Sequence, residues 1–220
     1  MKARIIISIV INFLAHGFSF GQKAIEFGFG QLFDRSFNRI DHNIRMLNPP
    51  SLDNRYSLFT QVKYSGCFSK SVSGLVGLRA TLRKFKYYYP GDIVDDFNYQ
   101  TLELPIGLRF NNQISENCRV RFDIEGGVNL AITSDNKTLV GDLDGNFFQF
   151  STISRLAYFF QPGIGIETKI NEEDFLCFFV SYQYQLNSLF RYRVYNSWFD
   201  FYGSPINMSN FNVGISYKFM

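Results

Sequence analysis

The chain closes on Asn210-Phe211-Asn212-Val213-Gly214-Ile215-Ser216-Tyr217-Lys218-Phe219-Met220. Phe211, Val213, Ile215, Tyr217 and Phe219 alternate with Asn212, Gly214, Ser216 and Lys218 without interruption. A two-residue period puts the first set on one face of a strand and the second on the other. A soluble sheet would cover the apolar face with a helix or a second sheet, and the sequence offers no amphipathic helix for that purpose. Lipid then becomes the cover, and the stretch reads as the last strand of a membrane barrel, with Tyr217 and Phe219 as its terminal assembly signal.

Seven more segments of this kind precede it. Strands are predicted over residues 24–33, 56–68, 72–87, 99–111, 118–133, 155–170 and 175–186, with the closing strand over 208–219. Eight is an even number, as a closed antiparallel barrel requires. The phase is firmest in two of them. Leu102, Leu104, Ile106, Leu108 and Phe110 oppose Glu103 and Arg109, and Val120, Phe122, Ile124, Val128, Leu130 and Ile132 oppose Arg119, Arg121, Asp123 and Glu125. A basic side chain turned to lipid costs about 2–4 kcal/mol at the midplane, so the charges must point into the lumen.

The connections alternate in length. Residues 34–55, 88–98, 134–154 and 187–207 form long links, whereas 69–71, 112–117 and 171–174 are short. With both termini in the periplasm, every long loop is extracellular and every short turn periplasmic, which is the rhythm of outer-membrane barrels. Ten residues at about 3.3 Å each, tilted by about 40°, rise about 25 Å and match the apolar band. Pro105 and Pro162 interrupt two strands, and a closed barrel has no free edge to excuse a missing amide hydrogen. Local bulges are expected at both, with a soluble sandwich as the alternative.

Composition agrees. The 220 residues include 26 Phe and 13 Tyr against one Trp, a load suited to strands with aromatic girdles. Beyond the first residues no apolar run reaches the roughly 18 residues of a membrane helix. Those first residues read as an export signal over 1–21: Lys2 and Arg4, an apolar core from Ile5 to Ala15, and a small-x-small site at Ser19-Phe20-Gly21. The barrel domain then runs over 22–220. Loss of Lys2 and Arg4 lowers the formal net charge from +3 to +1, which argues against a nucleic-acid partner.

Two stretches carry a family likeness. Tyr99-Gln100-Thr101-Leu102-Glu103-Leu104-Pro105-Ile106-Gly107-Leu108-Arg109-Phe110 resembles the tyrosine, leucine, glutamate, proline strand of PorT-like outer-membrane barrels of the Bacteroidota. Phe160-Gln161-Pro162-Gly163-Ile164-Gly165-Ile166-Glu167 is similar to the glycine-rich strand of that family, and the closing strand fits its layout. The resemblance implies an eight-stranded outer-membrane fold and, for some relatives, a part in type IX secretion.

The inward phase collects Glu26, Lys63, Arg79, Arg83, Glu103, Arg109, Arg121, Asp123, Glu125, Glu167, Lys169 and Lys218. An eight-stranded interior is just wide enough for side chains to fill, so these charges read as a polar plug that fixes register, with conduction or a proton relay as the sharper alternative. His42, beside Asp41 and near Ser36 and Ser51, is the one histidine of the exported chain and the one candidate general base of its type for a lipid A-modifying enzyme. Its spacing fits no motif, and a solvated loop histidine is the ordinary reading. Cys67, Cys118 and Cys177 are odd in number, follow no metal spacing and are expected to be free thiols. The acids of 92–96 and 142–146 lack the closing bidentate glutamate of a calcium loop.

The most distinctive exposed stretch holds Phe190, Arg191, Tyr192, Arg193, Tyr195, Trp198, Phe199 and Tyr202. Aromatics alternating with arginines favour binding hot spots, so a partner protein or surface lipopolysaccharide is one reading. The other is an extension of the seventh strand into a hairpin. Taken together the chain reads as an all-β protein, an eight-stranded antiparallel transmembrane β-barrel with short periplasmic turns and long extracellular loops. It is expected in the outer membrane as a monomeric, non-enzymatic envelope component with no cofactor or metal. Its expected partners are lipid, lipopolysaccharide, the barrel-assembly machinery and secretion-system proteins, with surface adhesion as another role.

Overall fold

The structure is a computed structural model that describes residues 23–34, 51–89, 92–132, 137–140, 146–196, 200–206 and 209–220. Within these, residues 51–56, 85–89, 92–97, 137–140, 146–150, 192–196 and 200–206 are described as backbone only. The export signal expected over 1–21 lies outside the described residues.

Every described element is a strand. In chain order they are β1 (Lys23–Asp34), β2 (Ser51–Cys67), β3 (Val72–Tyr89), β4 (Asp92–Ser115), β5 (Cys118–Ala131), β6 (Lys137–Val140), β7 (Asn146–Thr152), β8 (Leu156–Lys169), β9 (Asp174–Gln185), β10 (Phe190–Asn196), β11 (Asp200–Ile206) and β12 (Asn210–Phe219). Eight of them close a barrel in the order β1-β12-β9-β8-β5-β4-β3-β2. All neighbours are antiparallel, and the seam joins the first strand to the last, with Ile25 opposite Phe219 and Asp34 opposite Asn210. Closure removes every free edge from this sheet.

Burial in the barrel is inverted relative to a soluble protein. Along β5, Arg121, Asp123 and Glu125 are buried while Phe122 and Ile124 between them are exposed. Phe29, Leu104, Phe160, Ile164, Phe178 and Val213 likewise face outward on other strands. Alternation alone produces this, because each strand gives one face to the lumen and the other to the exterior. Near the turn end Phe27 meets Phe219 edge to face at 6.0 Å, and near the other end Tyr182 meets Phe211 at 4.7 Å. Aromatics thus mark both margins of the outer band.

Three features correct the sequence-based expectation. First, β3 and β4 remain paired as far as Tyr89 opposite Asp92, so most of the long link expected over 88–98 is strand. Second, the links expected over 134–154 and 187–207 contain β6, β7, β10 and β11, which form a separate four-stranded sheet in the order β11-β10-β7-β6. The chain leaves strand geometry between β9 and β10, so β10 is not a continuation of the seventh barrel strand. Third, neither proline makes a bulge. The β3–β4 register is the same on both sides of Pro105, with Val76 opposite Ile106 and Arg79 opposite Glu103, and only the two pairs between them are missing. The β8–β9 register likewise persists across Pro162, from Phe160–Tyr184 to Gly163–Ser181.

The reason is geometric. In an antiparallel ladder a residue aims its N–H and C=O at one neighbour only, so proline interrupts one side and leaves the other intact. Pro105 still pairs with Gly127 on β5, and Pro162 with Ile124. Opposite Pro105 the chain has Gly77, where an added Cβ would stand 3.3 Å from the proline ring and 2.8 Å from the Val62 carbonyl oxygen. Register shifts do occur, but elsewhere: Asn54/Tyr56, Tyr87/Tyr88, Gln113/Ser115 and Val194/Tyr195.

Candidate functional site

Among the described residues charged side chains converge in the lumen, which is organised in tiers. In the tier nearest the turns, Arg109 holds Asp123 with two parallel bonds, Nε to Oδ1 at 2.8 Å and Nη2 to Oδ2 at 2.9 Å. Its Nη1 donates to Glu26 Oε2 at 2.8 Å. Arg121 donates to both oxygens of the same Glu26, at 2.9 and 3.0 Å, and the Ser216 hydroxyl adds a bond of 2.6 Å. Glu26 lies on β1, whereas Arg121 lies on β5, four positions away around an eight-stranded ring. This cluster therefore spans the full lumen.

One tier up, Lys63 on β2 pairs with Glu125 on β5. Arg79 donates to Glu103 at 3.1 Å, to Gln161 at 2.6 Å and to Gln61 at 3.1 Å. Gln183 reaches Glu103 from β9 at 3.0 Å, Gln161 donates to Ser181 at 3.0 Å, and Asn210 donates to Gln183 at 2.9 Å. Above these, Thr81 and Thr101 share a bond of 2.5 Å, and Arg83 donates to the Tyr99 hydroxyl at 3.0 Å. The Tyr99 ring packs against Phe190 at 4.4 Å. Leu189 and Phe190, at the entry to β10, are fully buried. Carboxylates satisfied by two or three guanidinium bonds are strongly held, and leaving any partner alone in so dry a space is costly.

Inside this polar column sits a small apolar core of Leu32, Phe59, Cys177 and Phe179. The two rings lie 6.0 Å apart, with Arg79 stacked over Phe59 at 5.3 Å and Arg121 over Phe179 at 5.4 Å. They fit because the wall opposite carries no side chain. Gly30 pairs with Gly214, and a Cβ on either would come within 2.7 Å of a phenylalanine ring atom. The guanidiniums thus have π-faces on one side and carboxylates on the other.

Eleven of the twelve residues assigned to the inward phase are buried here: Glu26, Lys63, Arg79, Arg83, Glu103, Arg109, Arg121, Asp123, Glu125, Glu167 and Lys218. Lys169 is half-buried at the turn end of β8 and is not a partner in these ion pairs. Arg119, which that set omitted, pairs with Glu167 and belongs to the lumen. Also omitted were the amides Gln61, Gln161, Gln183, Asn129, Asn210 and Asn212, although each occupies an inward position of its strand.

The stretch singled out for binding is divided. Phe190 is buried against Tyr99, and Arg191 donates to the Ser151 hydroxyl at 3.4 Å. Tyr192, Arg193 and Tyr195 lie on β10 and Tyr202 on β11, whereas Trp198 and Phe199 fall outside the described residues. Ser36, Asp41 and His42 are also outside them, and Ser51 opens β2. Tyr217 donates its hydroxyl to Asp174 at 2.8 Å, and Phe219 is exposed on the outer face. Cys67, Cys118 and Cys177 are free thiols. Among the described residues no group of acids, cysteines and histidines has the makings of a metal site.

No family model matches the chain. No curated protein matches it. Solved structures do. The outer membrane protein OprG of Pseudomonas aeruginosa aligns at a TM-score of 0.55 and 12% identity over 90% of this chain and 96% of that one. The attachment invasion locus protein Ail of Yersinia pestis aligns at 0.39 and 13% identity, covering 90% and 99%. The outer membrane protease OmpT of Escherichia coli aligns at 0.44 and 9% identity, covering 90% and 96%. At such identities the likeness speaks to architecture and not to activity. The chain has the fold of the small outer-membrane proteins, a closed eight-stranded antiparallel β-barrel.

Proposed function

We propose that the protein is a non-enzymatic component of the outer membrane, a barrel that acts through its surfaces and not by conduction through its lumen. The observation that carries this is the cross-barrel bonding of Glu26, Arg109, Arg121 and Asp123, reinforced by Arg79 with Glu103 and Gln161. Bonds that cross the full bore leave no continuous aqueous path, and opening one would strand buried charge. The apolar outer band supports lipid as the surrounding solvent. The sheet of β6, β7, β10 and β11, outside the barrel, supports a docking role for partner proteins or lipopolysaccharide.

The more specific form of the reading is an accessory part in type IX secretion, supported by the likeness of 99–110 and 160–167 to PorT-like barrels. The test is a clean deletion strain compared with its parent for secreted proteome, outer-membrane composition and lipid A mass profile. Cargo should accumulate in the periplasm while other barrels assemble normally. Unchanged secretion would remove the secretion role, and an altered lipid A profile would overturn the non-enzymatic reading in favour of a lipid A-modifying enzyme.

A further inference from the structure

The polar column does not reach the turn end of the barrel. Below the Glu26 tier the lumen opens into a vestibule of about 590 Å³, within the range of small-ligand sites, roughly 300–1,000 Å³. Among the described residues four cations line it, Lys23, Lys70, Arg119 and Lys218, and no acidic side chain does. A carboxylate on a chain ending at Met220 would still leave the wall with a positive excess.

The acid that faces the two inner cations is shared. Glu167, one tier up, already faces Arg119, Arg121 at 3.2 Å, Arg109 at 3.5 Å and Lys218 at 3.7 Å. One carboxylate thus serves four cations. Arg119 is stacked on Phe175 at 3.9 Å, and its Nη2 is buried without a hydrogen-bond partner. Lys23 and Lys70 are exposed at the mouth and have no ion pair among the described residues. Ser65, Ser73 and Gln113 add neutral donors to the wall. A low-dielectric cavity with charge of one sign focuses the field and draws in the opposite ion.

We propose that this vestibule binds a small anion bearing carboxylate or phosphate groups, admitted from the end that carries the termini and short turns. Arg119 supplies a fixed planar fork for an oxyanion, with Lys218 beside it, while Lys23 and Lys70 act as mobile point charges at the entrance.

Cys67 lies in the wall, half-exposed, with its Sγ 3.4 Å from the Ser73 hydroxyl, and it is a built-in reporter. In the refolded full-length barrel, modification of Cys67 by an anionic and by a cationic methanethiosulfonate is followed by peptide mass spectrometry, each rate normalised to free cysteine. The anionic reagent should be favoured by about five-fold or more, as expected for a focused field. Pyrophosphate and citrate should each be tested against sodium chloride of equal ionic strength. Slowing beyond the chloride control by pyrophosphate alone identifies phosphate chemistry, by citrate alone carboxylate chemistry, and by both a general oxyanion site. Slowing no greater than the chloride control, or no preference for the anionic reagent, would overturn the proposal. Lys23→Gln with Lys70→Gln, both at exposed positions, should reduce the reagent preference. Arg119→Gln should abolish anion protection, and a folded Arg119→Gln barrel that keeps full protection would also overturn it.

Discussion

Glu26 shows how much one carboxylate can hold together. It accepts bonds from Arg109 on β4, Arg121 on β5 and Ser216 on β12. Glu26→Ala should destabilise the barrel by about 3–5 kcal/mol, because it leaves two buried guanidiniums one carboxylate short. A lower urea midpoint by circular dichroism in detergent would record this. Lys169→Ala, at a half-buried rim position, should stay within about 0.5 kcal/mol of the parent and serves as the control. The phase of each charged residue was legible from alternation alone, since a period of two assigns every position to one face. The partners were not, because residues as far apart as 26 and 121 are matched by the shear of the whole barrel. The inward rings of Phe59 and Phe179 were also missed: aromatic residues suggest the lipid face. The available signal was the pair Gly30 and Gly214, inward positions left empty on facing strands.

At the scale of the element, the outer band sets the register of each strand more stringently than its hydrogen bonds do. Ile124 stands in the middle of β5 with its side chain exposed outward, and Ile132 follows the upper end of the same strand. Ile124→Arg should cost about 2–4 kcal/mol and Ile132→Arg about 0–1 kcal/mol, following the depth dependence of a charge in lipid. Unfolding from lipid vesicles, read by the gel mobility of folded and unfolded forms, gives both values. Equal costs at the two positions would contradict a bilayer centred on Ile124. The barrel strands were legible because each carries about ten residues of alternation, whereas β6 and β7 hold only Lys137–Val140 and Asn146–Thr152. Segments so short show no period that distinguishes them from loop. The upper reaches of β2, β3 and β4 were missed for another reason: beyond the apolar band the alternation in sequence fades, while the pairing between neighbours continues.

At the scale of the whole molecule, the described strands form two sheets. The barrel closes on itself, while the sheet of β11, β10, β7 and β6 is open and joined to it through Leu189 and Phe190. Replacing residues 187–208 by a short glycine–serine link should leave the barrel able to assemble, since β9 and β12 are already neighbours with Gln183 opposite Asn210. It should also expose Tyr99 and lower the thermal midpoint by several degrees, consistent with about 1–2 kcal/mol of lost packing. Heat-modifiable gel mobility would show whether the variant folds, and failure to fold would mean the upper sheet is part of the barrel's own stability.

The seam between β1 and β12 has a consequence for how the protein is made. The first described strand has no partner on one side until the last one arrives, and Glu26 waits 190 residues for Ser216. Nothing short of the complete set of strands yields a finished wall, so completion is all or none. Once the wall is finished, β1 and β12 lie side by side, and the ring itself does not record which strand came first. Joining Lys23 to Met220 and opening the chain at one of the short turns would give the same barrel with a different first strand.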